Sequence, residues 1–139
     1  MSWIAIRKST SKLSVLTFDS GIEDSEQKIY NNIAPRKTYI NRSVEEGILL
    51  NGRQYQHTLY RHREWDLIIS ANEIDQSDIN FLDDFNNSLF KYISLYNGSD
   101  WSDYIEVLTT DGRLSIEYIE GLEDLPEVSL NLREVNKYA

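Results

Sequence analysis

The spacing of apolar residues constrains this chain more than any other feature. Phe81, Phe85, Leu89 and Ile93 recur at every fourth position, with Ile79, Leu82 and Phe90 beside them, while Asn80, Asp83, Asp84, Asn87 and Lys91 fall between. A stripe of that width is the buried face of an amphipathic helix packed on a larger apolar surface. Asp75 or Ser77 can accept from the free amides of its first turn, and Asn97-Gly98 supplies a stop. Elsewhere the pattern has a period of two, as in Leu114, Ile116 and Tyr118 or Val128, Leu130 and Leu132. The expected class is α+β, mainly β: an antiparallel β-sandwich or split barrel with one packed amphipathic helix over residues 76–94.

Turn chemistry divides the remaining chain. Residues 2–7 and 12–18 read as two strands joined by the polar Lys8-Ser9-Thr10-Ser11. Asn51-Gly52, between Ile48-Leu49-Leu50 and the run that begins at Gln54, is a strong hairpin signal. Asp111-Gly112 predicts a second hairpin, and Glu120 to Pro126 a loop. Residues 19–47 have only scattered apolar anchors, among them Tyr30, Tyr39 and Ile40, and Pro35 disfavours a helix running through Ala34. They read as an extended arm or long loop that docks on its own sheet or on a neighbour, since segments of this length are usually functional or disordered. All 139 residues fit one domain.

Charge is placed unevenly. Residues 1–70 hold ten Lys or Arg against eight Asp or Glu, whereas residues 71–139 hold four against fifteen. The net charge of −9 opposes binding that depends on neutralising phosphates, so nucleic acid is not an expected partner. No apolar run approaches the roughly 20 residues of a membrane span. The absence of Cys excludes thiol nucleophiles, Cys-ligated zinc and disulfides.

Catalytic equipment is sparse. His57 and His62 are the only histidines, and their odd spacing places them on opposite faces of a regular strand. No nucleophile elbow, phosphate loop or zincin pair occurs. Asp19, Glu23, Asp24 and Glu26, or Asp75, Asp78, Asp83 and Asp84, offer hard oxygens but lack the calcium-loop pattern. No pair of carboxylates is singled out for glycoside chemistry. The reading is a non-enzyme with no cofactor, metal or small-molecule substrate. Arg53, Arg61, His62 and Arg63 are the one basic concentration, and pairing with the acidic half, in the same chain or a neighbour, is their natural use. Tyr30, Tyr39, Ile40, Arg53, Arg61, Arg63, Asp83 and Asp84 are the candidate interface residues.

The run Arg63-Glu64-Trp65-Asp66-Leu67, followed by the helix with Phe81-Leu82-Asp83-Asp84-Phe85 and the closing Leu130-Asn131-Leu132-Arg133-Glu134-Val135, resembles small structural proteins of tailed-bacteriophage tails, such as distal-tail and baseplate-hub domains. The resemblance covers residues 48–135; the first forty-odd residues do not share it, and distal-tail proteins are usually longer. It implies a β-sandwich or split barrel with a packed helix, assembled head to tail as a ring with itself and other virion proteins. It also implies a virion component without catalysis, put together in the bacterial host cytoplasm. The alternative is a monomeric β module for a peptide, sugar or regulatory partner, with Trp101 and Tyr96 as its contact patch.

Overall fold

A computed structural model describes residues 3–30, 35–69, 74–119 and 122–136. The elements in order are β1 (Trp3–Ser9), β2 (Gln27–Tyr30), β3 (Pro35–Ile48), β4 (Gln54–Ile69), α1 (Gln76–Asn87), β5 (Phe90–Tyr96), β6 (Ile105–Ile119) and β7 (Leu122–Glu134). All seven strands belong to one antiparallel sheet in the order β2-β1-β5-β6-β7-β4-β3. The class is the expected one, α+β and mainly β, and the sandwich or split barrel takes the form of a single open sheet backed by one helix.

Covalent geometry curls that sheet. Laid flat, its two outer strands would stand about 29 Å apart, at about 4.8 Å per strand. Yet β2 and β3 are separated by only the five peptide links from Tyr30 to Pro35, which reach at most about 18 Å. The sheet therefore bends round its apolar face, and α1 lies against that face, touching β1 and β6. Ile4, Ile6, Trp65, Leu67, Ile93, Val107, Leu130 and Leu132 meet Leu82 and Phe85 in one continuous core.

The helix is shorter than its apolar spacing predicts. It starts at a reciprocal cap, in which Asp75 accepts from the Asp78 N–H and Asp78 accepts from the Asp75 N–H. It stops at Asn87, because Ser88 turns extended, and Leu89 is left exposed. Phe90–Tyr96 is strand β5, not the last helical turns. This strand is covered on both faces, Ile93 by the core and Tyr92 by Leu13 and Tyr104, so it is almost continuously apolar and its period cannot be told from that of a buried helix. The Lys91 ammonium closes the junction by donating to the Ser88 carbonyl at 2.8 Å, and burial holds its pKa below the ordinary lysine range.

Three further expectations are corrected. Residues 12–18 are not a strand: Thr10–Glu26 is an irregular cover over the convex face of β1 and β5. Its amides and rings find partners there without a ladder, the Leu13 N–H on the Tyr92 hydroxyl at 2.9 Å and Phe18 stacked on Trp101 at 4.3 Å. Asp111-Gly112 does not reverse the chain. Gly112 has φ +60°, and residues 110–113 bulge out of one long strand, β6, which pairs with β7 on either side of them. The Asn86 amide donates to the Gly112 carbonyl, which ties the bulge to the helix. Of the loop expected at 120–126, residues 122–126 belong to β7, which begins at Leu122, and residues 120–121 lie outside the described residues.

Residues 19–47 likewise divide. The stretch Gln27–Tyr30 is β2 and Pro35–Ile48 is β3, at the two opposite edges of the sheet. The expected arm thus docks on its own sheet along much of its length.

Candidate interaction surface

The β3–β4 hairpin outruns the sheet it belongs to. Strand β4 pairs with β7 only from Glu64 to Ile69, whereas it pairs with β3 all the way to Gln54. Among the described residues, positions 54–62 of β4 therefore have a strand on one side only. The resulting ribbon projects about 30 Å, at about 3.3 Å per residue. Its turn is well built: the Gly52 N–H donates to the Leu49 carbonyl at 2.8 Å, the Leu49 N–H to the Arg53 carbonyl at 2.7 Å, and Gly52 supplies φ +83°. The Arg53 N–H also reaches the Asn51 side-chain oxygen at 3.0 Å.

Apolar side chains crowd this ribbon and stand exposed among the described residues. Leu50 is fully exposed, Ile48 is 70% and Leu49 47% exposed, and Leu59, Tyr55 and Tyr60 are open along its length. At Gly47 a Cβ would come within 2.6 Å of the Tyr55 ring, so that ring lies across the glycine on the neighbouring strand. An isolated two-stranded ribbon is marginal in water, and a contiguous apolar surface on a soluble domain is characteristic of a contact site.

The candidate interface residues are only partly brought together. Ile40, half exposed, Arg53 at the turn, and Arg61 and Arg63 on β4 all belong to the ribbon or its root. Tyr39 lies there too, at the register position opposite Glu64, though its side chain falls outside the described residues. Arg63 is committed within the chain: its guanidinium makes a forked contact with Glu134, at 2.8 and 3.3 Å, and stacks over Trp65. This is the pairing within the same chain that the basic run allowed, and it fastens the root of the ribbon to the end of β7.

Tyr30 sits elsewhere and is buried. Its hydroxyl donates to Asp78 at 3.1 Å, and burial, reinforced by the Asp78 charge, pushes the phenol well above its ordinary range. Its contacts bind β2 to the start of α1. Asp83 and Asp84 are exposed on the outer side of α1, where Asp84 lies 3.4 Å from the Lys8 ammonium. Sequence reasoning missed Ile48, Leu49, Leu50 and Leu59. The signal was present in an apolar triplet abutting Asn51-Gly52, since residues next to a two-residue turn at the tip of a long hairpin have no core within reach.

Chemical convergence is weak among the described residues. A β-bulge between Ser43 and Val44 makes Leu59 an extra residue on β4, so His57 and His62 share a face, contrary to the regular-strand expectation. They stand four ladder steps apart, about 13 Å, and His62 has Glu64 at 3.4 Å. No group of three His, Asp or Glu among the described residues is placed to hold a metal ion. No described helix is long and apolar enough to cross a membrane. Trp101 and Tyr96 form a ring cluster with Trp3 and Phe18 at the end of β5, where the rings stack on one another.

No protein-family model matches the chain, and no curated protein matches its sequence.

Proposed function

We propose that this chain is a non-enzymatic structural component of a phage virion, in the tail, neck or baseplate, that works through subunit contacts in a ring. The observation that carries the subunit-contact reading is the projecting β3–β4 ribbon with an apolar tip that its own fold leaves in solvent. Uncovered, such a ribbon is a liability, because two open edges and a row of apolar side chains invite indiscriminate pairing. Seated on a neighbouring subunit, the same features give area and register. The phage assignment is supported by the resemblance of residues 48–135 to tail proteins.

Size-exclusion chromatography with light scattering tests the reading. The expected result is a concentration-dependent oligomer of defined order, or its appearance when phage tail proteins are added. A particle that stays monomeric throughout refutes it and favours the stand-alone binding module.

A further inference from the structure

The outer half of β4 has a bare edge, and its turn shows which backbone groups point out of it. The Leu49 N–H donates to the Arg53 carbonyl, so the next pair on the ladder, Ile48 and Gln54, is a non-hydrogen-bonded one. Alternation then turns the N–H and C=O of Tyr55 and His57 toward β3. Those of Gln54, Gln56 and Thr58 turn outward, where no strand lies among the described residues. Further along, the Arg63 N–H also points away from β3 and is taken by the Glu134 carboxylate at 3.2 Å. There β7 leaves β4, and the Val135 N–H donates to the Glu106 carbonyl instead.

This edge lacks the devices that keep open edges from pairing, which are shortness, charge, proline and bulges. Other edges among the described residues have them. Strand β2 is only four residues long. Strand β3 begins at Pro35 and holds three Lys or Arg and two Glu, β6 bulges at residues 110–113, and residues 122–127 of β7 hold Pro126 and three acidic residues. By contrast, Gln54-Tyr55-Gln56-His57-Thr58 contains no Pro, Lys, Arg, Asp or Glu and pairs with β3 without a bulge. Like charges directly opposed destabilise a ladder, so an uncharged segment is one that can be laid antiparallel on its own copy.

The geometry points to antiparallel pairing of this edge with the same edge of a second copy, about a two-fold axis at Gln56. In that register Gln54 faces the partner's Thr58 and Gln56 faces its own counterpart. The three outward-turned residues then exchange both their main-chain bonds, about six in all. Tyr55 falls opposite the partner's His57 at the closer, non-hydrogen-bonded sites. The same register carries the Leu49–Leu50 tip of each copy toward the other's Tyr60 and His62. A cleft of about 270 Å³ lies there, walled also by Leu108 and Val135, which are 42% and 41% exposed. The exposed apolar groups of tip, strand and cleft amount to between four and five complete side chains per copy. At about 150 Å² each, the pair can bury up to about 1,300 Å², within the range of specific interfaces. This inference rests on the subunit-contact reading and names the strand through which copies meet. The contact is isologous and closes on two copies; a ring of higher order joins such pairs through a second surface.

Cross-linking reads the register, since the chain contains no Cys. Opposed residues at hydrogen-bonded sites have Cα atoms about 5.5 Å apart, inside the span of a disulfide. Gln56→Cys is expected to form a disulfide dimer on its own under mild oxidation. Gln54→Cys and Thr58→Cys are expected to couple slowly alone and readily when mixed in equal amounts. A fourth variant, Gln56→Pro, removes an outward N–H and leaves the bonds to β3 in place. Its association is expected to weaken by at least about tenfold in sedimentation equilibrium, with the circular dichroism of the monomer unchanged; if it unfolds, the cysteine variants decide. If Gln56→Cys couples no faster than the other two, or a folded Gln56→Pro associates like an associating parent, this pairing is wrong and the subunit-contact reading stands on another surface. A parent that never associates, with cysteines that couple no faster than chance collision, refutes both.

Discussion

The tip of the ribbon offers the sharpest perturbation, because its side chains have little to do within the monomer. Replacing Ile48, Leu49 and Leu50 together by Ser removes apolar surface that is 70%, 47% and fully exposed. Substitutions at such positions leave the stability of the isolated fold within about 0.5 kcal/mol each. The Leu49 and Gly52 backbone bonds that form the turn are retained. In an assembly that buries the tip, the triple change costs much more. The exposed portion amounts to rather more than two complete aliphatic side chains, and each is worth about 2 kcal/mol on burial. The expected loss is about 4 to 5 kcal/mol, or roughly three orders of magnitude in the dissociation constant. Sedimentation equilibrium of parent and variant measures that shift, and thermal unfolding of the dilute variant measures the monomer. An unchanged association constant would refute the reasoning. So would a strongly lowered melting temperature, since it would mean that the tip is buried in its own fold.

Three other outcomes follow from the interior. Phe85→Ala, at a fully buried ring where α1 meets the sheet, is expected to destabilise the domain by about 3 to 5 kcal/mol in denaturant titration. Asp75→Ala removes the helix cap and is expected to lower the melting temperature by a few degrees. The Asp78 N–H bond holds the Asp75 carboxyl below its ordinary pKa, so this stabilisation is present above the ordinary range and is lost as pH falls through the folded value; the parent–variant difference should vanish in acid. Tyr30 has the opposite sign. Its folded pKa is raised, so its contribution is complete below about pH 10, the ordinary phenol value, and declines as pH rises past it. Tyr30→Phe should cost about 1 kcal/mol near neutrality and flatten the alkaline limb of the stability profile.

Local signals were legible where one short-range rule decided the outcome. Asn51-Gly52 fixed the β3–β4 turn, and Asp75 with Asp78 fixed the start of α1. The alternation from Val128 to Leu132 marked β7, since its inner residues face the core and its outer ones do not. Failures arose where tertiary contacts override local pattern. Leu89 and Ile93 continue the helical spacing from Phe85, yet Ile93 is needed opposite Ile6 in the interior of the sheet, and so the helix ends first. Asp111-Gly112 has the composition of a turn, but β7 continues to pair beyond it and leaves only a bulge. The candidate interaction surface was half visible for the same reason. A basic run at Arg61–Arg63 can be read along the chain, whereas a hairpin projecting past its neighbours depends on how far β7 accompanies β4, and that is a property of register.

Hydrogen exchange along β4 tests the central claim most directly. Amides of residues 54–62 on the side away from β3 have no strand partner among the described residues of one copy. In dilute solution the ribbon should exchange fast relative to Glu64–Ile69, and on assembly the tip from Ile48 to Gln54 and the strand behind it should become strongly protected. An assembled state in which this ribbon exchanges as it does in dilute protein would contradict the account, because the surface left bare by the fold would then still be bare when the copies meet.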